Sequence, residues 1–219
     1  MTPSMLELME RDALEFGIRY IEDVNFELKE DVQAHLLIEI DGNYEKQMFE
    51  ECEEVYKVLD KYKCDEILFA DASHQKEILL KLRNKIGDAI KSNSVFKDED
   101  TVVPRAELPK LLKGIKELGR KYNFKSVCFG HAGDGNLHVN IIRENQSDYE
   151  WDTVLKKGIH EMFELCVSLG GSISGEHGIG YTQKEFLPIS LCSAQIEIMK
   201  KIKNVFDPSG ILNPGKIFP

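Results

Sequence analysis

The sequence lacks three things: a long apolar run, a paired-cysteine motif and an excess of basic residues. Without an apolar stretch of about 18 residues it offers no candidate for a membrane-spanning helix. The opening residues show no basic-then-apolar leader pattern either. Lys and Arg number 28 against 38 Asp and Glu, a formal net charge of −10. A nucleic-acid surface needs the opposite sign to neutralise phosphates, so no nucleic-acid partner is expected. The five cysteines (Cys52, Cys64, Cys128, Cys166, Cys192) are odd in number and widely spaced. That is the usage of a reducing compartment, with buried thiols in place of a disulfide frame. Neither the G-x-G-x-x-G nor the G-x-x-x-x-G-K-[ST] phosphate loop occurs, and no G-x-S-x-G elbow is present. Phosphate-loop and serine-nucleophile chemistry therefore have no sequence support. What remains, in 219 residues with 42% hydrophobic and 30% charged, is the expectation of an acidic, cytosolic, globular protein of mixed α and β structure.

Patterning along the chain gives an order of elements. Ser4 with Glu7 three residues later makes a capping-box pattern, which predicts a helix from Ser4 to about Phe16, followed by a polar connector. The apolar run 34–40, closed by Asp41-Gly42, predicts a strand and turn. Met48, Cys52, Val55, Val58 and Leu59 recur at helical spacing between Tyr44 and Tyr62. A strand is expected over 66–70, then a helix from Ser73 to about Lys91. Pro104 and Pro109 favour extended backbone around 101–104. A helix is expected over 108–122, strands over 127–129 and 136–142, and helices over 148–169 and 190–205.

Chemistry concentrates in two segments. In Gly130-His131-Ala132-Gly133-Asp134-Gly135-Asn136-Leu137-His138-Val139-Asn140, strand alternation puts Asn136, His138 and Asn140 on one face. Two amides and an imidazole are unusual on a solvated strand face. His131 and His138 on facing strand ends make half of a metal site, or else the polar residues of an ordinary hairpin. In Gly170-Gly171-Ser172-Ile173-Ser174-Gly175-Glu176-His177-Gly178-Ile179-Gly180, five glycines surround an acid and a histidine. Glycine there lets backbone pass close to a bound group. Glu176 supplies the carboxylate of a two-histidine, one-carboxylate set, or is an exposed acid after a glycine cap. His177 is a titratable group suited to proton transfer. The tail Asp207-Pro208-Ser209-Gly210-Ile211-Leu212-Asn213-Pro214-Gly215-Lys216 reads locally as an ordered turn.

Taken in order, these three segments resemble the C-terminal half of the FAD-linked oxidases of the vanillyl-alcohol-oxidase type. Within them the chain is similar to the D-lactate dehydrogenase, glycolate oxidase large-subunit and D-2-hydroxyglutarate dehydrogenase group. The resemblance extends upstream through 34–42, Leu82-Arg83 and Val103-Pro104-Arg105. It implies an α+β fold, an antiparallel sheet covered by helices in a ferredoxin-like cap domain over 1–189. Residues 190–219 would be a C-terminal helix and tail returning to an FAD domain. It implies oxidation of a small D-2-hydroxy acid to the 2-oxo acid, with hydride passing to FAD. His131, His138 and Glu176 match the family's divalent-metal ligands, for zinc, manganese or iron. His177 matches the catalytic residue that accepts the hydroxyl proton and also touches substrate. Arg83 matches an arginine that grips the substrate carboxylate, Asn140 a substrate contact and Asn213 a flavin contact; Arg105 borders the pocket.

Two positions depart from the hydroxyglutarate enzymes. Gly87 stands where they carry a threonine, and about Val103 where they carry a lysine, so the resemblance favours lactate or glycolate over a substrate with a distal carboxylate. No counterpart of the family's preceding FAD domain is expected in this chain, so alone it should hold little FAD. The resemblance also allows an iron–sulfur electron-transfer partner, a homodimer, and a cytoplasmic location peripheral to the inner face of the membrane. Two readings of another class stay open: a non-catalytic metal-binding interaction module, and a metallohydrolase, although the H-E-x-x-H spacing is missing.

Overall fold

The computed structural model describes residues 2–21, 28–62, 64 and 66–219. Its elements run β1 (Met5–Glu10), α1 (Arg11–Tyr20), β2 (Ala34–Glu39), α2 (Glu45–Asp60), α3 (Ser73–Asn93), β3 (Phe96–Val102), α4 (Leu108–Tyr122), β4 (Lys125–His131), β5 (Asn136–Ile142), α5 (Leu155–Ser168), α6 (Leu187–Ser190) and α7 (Ser193–Phe206). The fold is α+β, antiparallel strands with helices beside them, as the family resemblance implies. The chain divides into two compact units: Met1–Phe96 with Val127–Gly133, and Lys97–Ser126 with Asp134–Pro219.

In the first unit β1 is the middle strand of the order β2-β1-β4. It pairs antiparallel with β2 from Met5↔Glu39 to Glu10↔Ala34, and with β4 at Glu7↔His131, Leu8↔Gly130 and Met9↔Phe129. This corrects the helix expected over 4–16, because residues 5–10 are strand and the helix begins only at Arg11. Met, Leu and Glu are good helix formers, but that preference is worth only tenths of a kcal/mol per residue. Two flanking ladders outweigh it. α1 then lays Leu14 and Gly17 against α3, where a Cβ at Gly17 would lie 3.0 Å from Leu82 Cδ1. α3 buries Leu82, Ile86, Ala89 and Ile90 at helical spacing.

The helix expected between Tyr44 and Tyr62 forms as α2, with none of its residues fully buried and Val58 exposed. One further expectation in this unit needs correcting. The strand expected over 66–70 does not form, and Ile67, Leu68 and Phe69 are exposed. The polar connector expected after the first helix falls partly on 22–27, outside the described residues.

In the second unit β5 lies beside β3, and the Thr101 hydroxyl donates to the Leu137 carbonyl at 3.0 Å. All seven residues of β5 are buried, so the strand has no solvated face. β3 starts at Phe96, five residues before the extended segment expected from the prolines. α4 matches its expected bounds and buries Leu108, Leu111, Ile115 and Gly119. It approaches α5 closely, since a Cβ at Gly114 would stand 2.3 Å from Leu165 Cδ2. The helix expected from 148 opens with a wide π turn at Glu150–Val154 that buries Trp151. The helix expected over 190–205 forms as α7 from Ser193, with the short α6 ahead of it, and the Gln195 side chain accepts from the Cys192 N–H at 2.9 Å to cap α7. All five cysteines are free, but only Cys128 and Cys166 are buried. No helix among the described residues is long and apolar enough to cross a membrane.

One buried acid in this unit sets a pH dependence. Glu99 is on β3, 7% exposed, and accepts from the Gln183 amide at 3.0 Å. Burial pushes its carboxyl from 4.5 up to about 7, against the Gln183 hydrogen bond. A raised carboxyl binds its proton more tightly in the folded state, so its stabilising effect is complete below 4.5 and lost as pH rises through about 7. We expect the Glu99→Gln variant to gain about 3 kcal/mol relative to the parent across that window. Urea unfolding of both proteins at about pH 5 and about pH 8 measures it; a constant difference between the two pH values overturns it.

Candidate active site

The loop that carries Glu176 and His177 is organised from beneath by β3. Asp98 and Asp100 are two residues apart on that strand and so share a face. Asp100 is fully buried. Its Oδ2 accepts from the backbone N–H groups of Gly175 (2.9 Å), Glu176 (2.6 Å) and His177 (2.8 Å), and from the Ser174 hydroxyl (3.2 Å). Oδ1 accepts from the Asn136 amide at 2.6 Å. Burial pushes the Asp100 carboxyl up, but the His177 N–H, the Asn136 amide and the Glu176 N–H outweigh it and hold it below its ordinary value of 3.8. Gly175 is required by contact, because a Cβ there would meet Asn136 Nδ2 at 2.1 Å. Upstream, Ser172 and Val102 exchange backbone hydrogen bonds of 2.8 and 3.2 Å in an antiparallel bridge.

Beside this loop stand two imidazoles of the unit. His138 and His177 stack, with ring centroids 5.3 Å apart and planes inclined by 20°. His138 Nδ1 is 4.0 Å from Asp100 Oδ1, and His177 Nδ1 is 3.8 Å from Asp98 Oδ2. Donor atoms of Asp100, His138 and His177 all lie within 4.8 Å of one another, but the Asp100 oxygens already serve the loop. Burial holds His138 below its usual value, outweighing the opposite pull of Asp98 and Asp100. Burial raises the Asp98 carboxyl, with His177 and His138 opposing it. The Glu176 side chain is exposed, and its charge is felt at His138. Asn140 is 4% exposed and its Nδ2 has no hydrogen-bond partner among the described residues.

The far end of the loop is tied to the tail. Ile217 N–H donates to the Gly180 carbonyl at 2.6 Å, and Lys184 Nζ to the Gly215 carbonyl at 3.2 Å. Asp207 gathers the N–H groups of Ile211 and Leu212 at 2.9 and 3.0 Å. Asn213 follows in an exposed turn with φ of 47°.

The first unit holds Arg83 and His131 together on one acid. Glu7, 3% exposed, accepts from Arg83 Nε at 2.9 Å and Nη2 at 2.8 Å through Oε2. Its Oε1 lies 2.6 Å from His131 Nδ1. Arg83 also lies 5.8 Å from the centroid of the Phe129 ring. Glu10 is buried as well, and its Oε2 accepts from the Cys128 N–H at 2.9 Å.

The structure thus groups Arg83 with His131 in the first unit, and His138, Asn140, Glu176 and His177 in the second. Arg105 is exposed and Val103 is buried core. Sequence reasoning missed Glu7, Asp98 and Asp100. Glu7 was assigned to a helix cap, and Asp98 and Asp100 sit in an acidic run that resembles a solvated face. The one available signal was that this run enters the apolar segment Thr101-Val102-Val103 at strand alternation.

Comparison with known proteins shows the family and the fold of the chain. The family described as FAD linked oxidases, C-terminal domain, matches residues 1–217. The D-lactate dehydrogenase of Anaerostipes hadrus is 34% identical over 221 residues, covering 99% of this chain and 46% of that protein. Glycolate oxidase subunit GlcD of Bacillus subtilis is 33% identical over 220 residues, covering 99% and 45%. The D-2-hydroxyglutarate dehydrogenase of Stutzerimonas stutzeri is 36% identical over 205 residues, covering 90% and 43%. The chain therefore spans less than half the length of these relatives. Among solved structures, a 4-ethylphenol oxidase from Gulosibacter chungangensis in complex with isoeugenol superposes with a TM-score of 0.59 at 11% identity, covering 98% of this chain and 47% of that one. That likeness concerns the fold alone.

The loop's dependence on Asp100 is directly measurable. In Asp100→Ala the N–H groups of Gly175, Glu176 and His177 lose their shared acceptor, and a loss of roughly 2 to 3 kcal/mol in local stability is expected. Amide hydrogen exchange at those three positions should accelerate by at least about tenfold, in line with that loss. Unchanged exchange there would mean the loop is held by something other than this carboxylate.

Proposed function

Because the chain belongs to the family of FAD-linked oxidase C-terminal domains, we propose that it is the substrate-side portion of a flavin-dependent dehydrogenase. Its substrate is a small D-2-hydroxy acid of the lactate or glycolate class, oxidised to the 2-oxo acid. Residues 1–189 form the substrate-side domain, and 190–219 lead back to an N-terminal FAD domain. The reaction takes place in the cytoplasm, within reach of an iron–sulfur or membrane-side electron acceptor.

The observation that carries the reading is the Asp100-anchored loop, which presents Glu176 and His177 beside the buried His138. In this scheme Arg83 binds the substrate carboxylate, for which a guanidinium fork is suited. The unpartnered Asn140 amide donates a second hydrogen bond to the substrate. His177 accepts the hydroxyl proton. Its stacking on His138 and its nearness to Asp98 restrain the ring for that task. His131, His138 and Glu176 are the metal ligands: two imidazoles and one carboxylate suit a divalent ion such as zinc, manganese or iron. Burial favours the neutral form of His138, the form with a lone pair to donate. The chain has no G-x-G-x-x-G loop to cradle a pyrophosphate, so FAD is held chiefly by the N-terminal domain, with Asn213 as a contact from this side. When bound, FAD supplies the electron acceptor and the metal a Lewis acid at the hydroxyl. An acidic chain can bind an anion in this way because the local charge, not the total of −10, meets the substrate.

The test is reconstitution with an N-terminal FAD domain. Yellow protein and dye reduction with D-lactate or glycolate are expected; flavin uptake with no reduction by either acid overturns the reading. Within the active complex, His177→Ala should lower kcat by about 10²- to 10⁴-fold with metal content retained. His138→Ala and Glu176→Ala should lose metal. Elemental analysis beside steady-state kinetics separates the two sets, and equal metal loss in both would overturn the division of roles.

A further inference from the structure

We propose that Glu7 is a positioning residue that sets the ring orientation and tautomer of His131 and fixes the guanidinium of Arg83 through one carboxylate. The inference deepens the function proposed above and rests on it.

Glu7 stands opposite His131 in the β1–β4 ladder, so backbone pairing delivers the two side chains to one place. A buried carboxylate is tolerated only where charged or polar partners meet both oxygens. Here Oε2 takes two donors of Arg83 and Oε1 takes His131. A carboxylate in this arrangement only accepts, so the proton of the 2.6 Å contact belongs to His131 Nδ1. That assigns the lone pair of the ring to Nε2, the atom a metal ion needs. The arrangement is a carboxylate–histidine pair of the kind that orients metal-bound imidazoles.

Arg83 is fixed by the same acid. A guanidinium has five N–H donors, and Glu7 engages two of them through Nε and Nη2. Arg83 Nη2 also lies 3.4 to 3.5 Å from the His131 ring nitrogens. The remaining donors are thereby aimed from a fixed plane, with the Phe129 ring behind it. A metal ligand and a carboxylate-binding arginine are therefore held in register by a residue that contacts neither metal nor substrate.

The test uses the full chain, Co²⁺ as the metal probe, and the Glu7→Ala and Glu7→Gln variants. In the parent, nitrogen-15 NMR should find His131 protonated on Nδ1 without metal, and Glu7→Ala should lose that fixed tautomer. Co²⁺ affinity should fall about 10- to 100-fold in Glu7→Ala. Glu7→Gln keeps an oxygen that can accept from Nδ1–H, so it should hold most of the Co²⁺ affinity; in the reconstituted enzyme it should raise KM for D-lactate through the loosened Arg83. A parent His131 protonated on Nε2, or Co²⁺ affinity unchanged in Glu7→Ala, overturns the role of Glu7 and leaves the proposed function standing. A parent chain that takes up no Co²⁺ overturns both. If Glu7→Ala does not fold, Glu7→Gln decides: Co²⁺ affinity and tautomer close to the parent's with a raised KM for D-lactate support the proposal, and a fall in Co²⁺ affinity of about 10-fold or more, or an unchanged KM, overturns it.

Discussion

A carboxylate removed from water has to be met by donors, and Asp100 finds them in the backbone of the loop that carries Glu176 and His177. Three consecutive N–H groups point at one oxygen, and three such groups can converge only if the chain curls around that point. The path of the loop, the directions in which Glu176 and His177 leave it, and the exclusion of any side chain at position 175 all follow from that curl. An uncompensated buried charge costs several kcal/mol. Straightening the loop would expose the acid to that cost, so the two are stable together or not at all.

Glu7 applies the same physics to side chains in place of backbone. It is buried in a central strand, and its two oxygens recruit an arginine and a histidine that are 48 residues apart. The acidic composition takes on a different meaning in this light. Several of the acids that give the chain its negative charge lie inside it as acceptors: Glu7, Glu10 and Asp100 are all 8% exposed or less. They do not form a repulsive surface toward an anionic ligand, and they organise the cationic and neutral groups that would receive one.

Legibility in the sequence tracked how local the determining physics was. α4 was readable over its whole length because its apolar residues repeat at helical spacing and Asn123 ends it in the left-handed region, with φ of 54°. β5 was readable as a strand from alternation, yet its burial on both faces was not, since what covers its polar residues, such as Asp100 against Asn136, comes from other elements. β1 was misread because six helix-forming residues become a strand only when two partners arrive from residues 34–39 and 125–131. The site divides the same way. His138 and His177 stand out because glycines and amides surround them in sequence. Asp98, Asp100 and Glu7 are invisible there, because an acid beside other acids looks solvated until its donors are known, and those donors lie 36 to 124 residues away.

The bond between Ile217 and Gly180 has one more implication. It makes Ile217 a tether on the loop, whose other side is anchored at Asp100, so the segment from 175 to 180 is strung between two fixed points. Gly178 and Gly180, with φ of 72° and 53° and open space around them, are the joints of that span. A displacement of residues 215–217 reaches His177 through a handful of peptide units, so this stretch is a mechanical input to the segment that carries it.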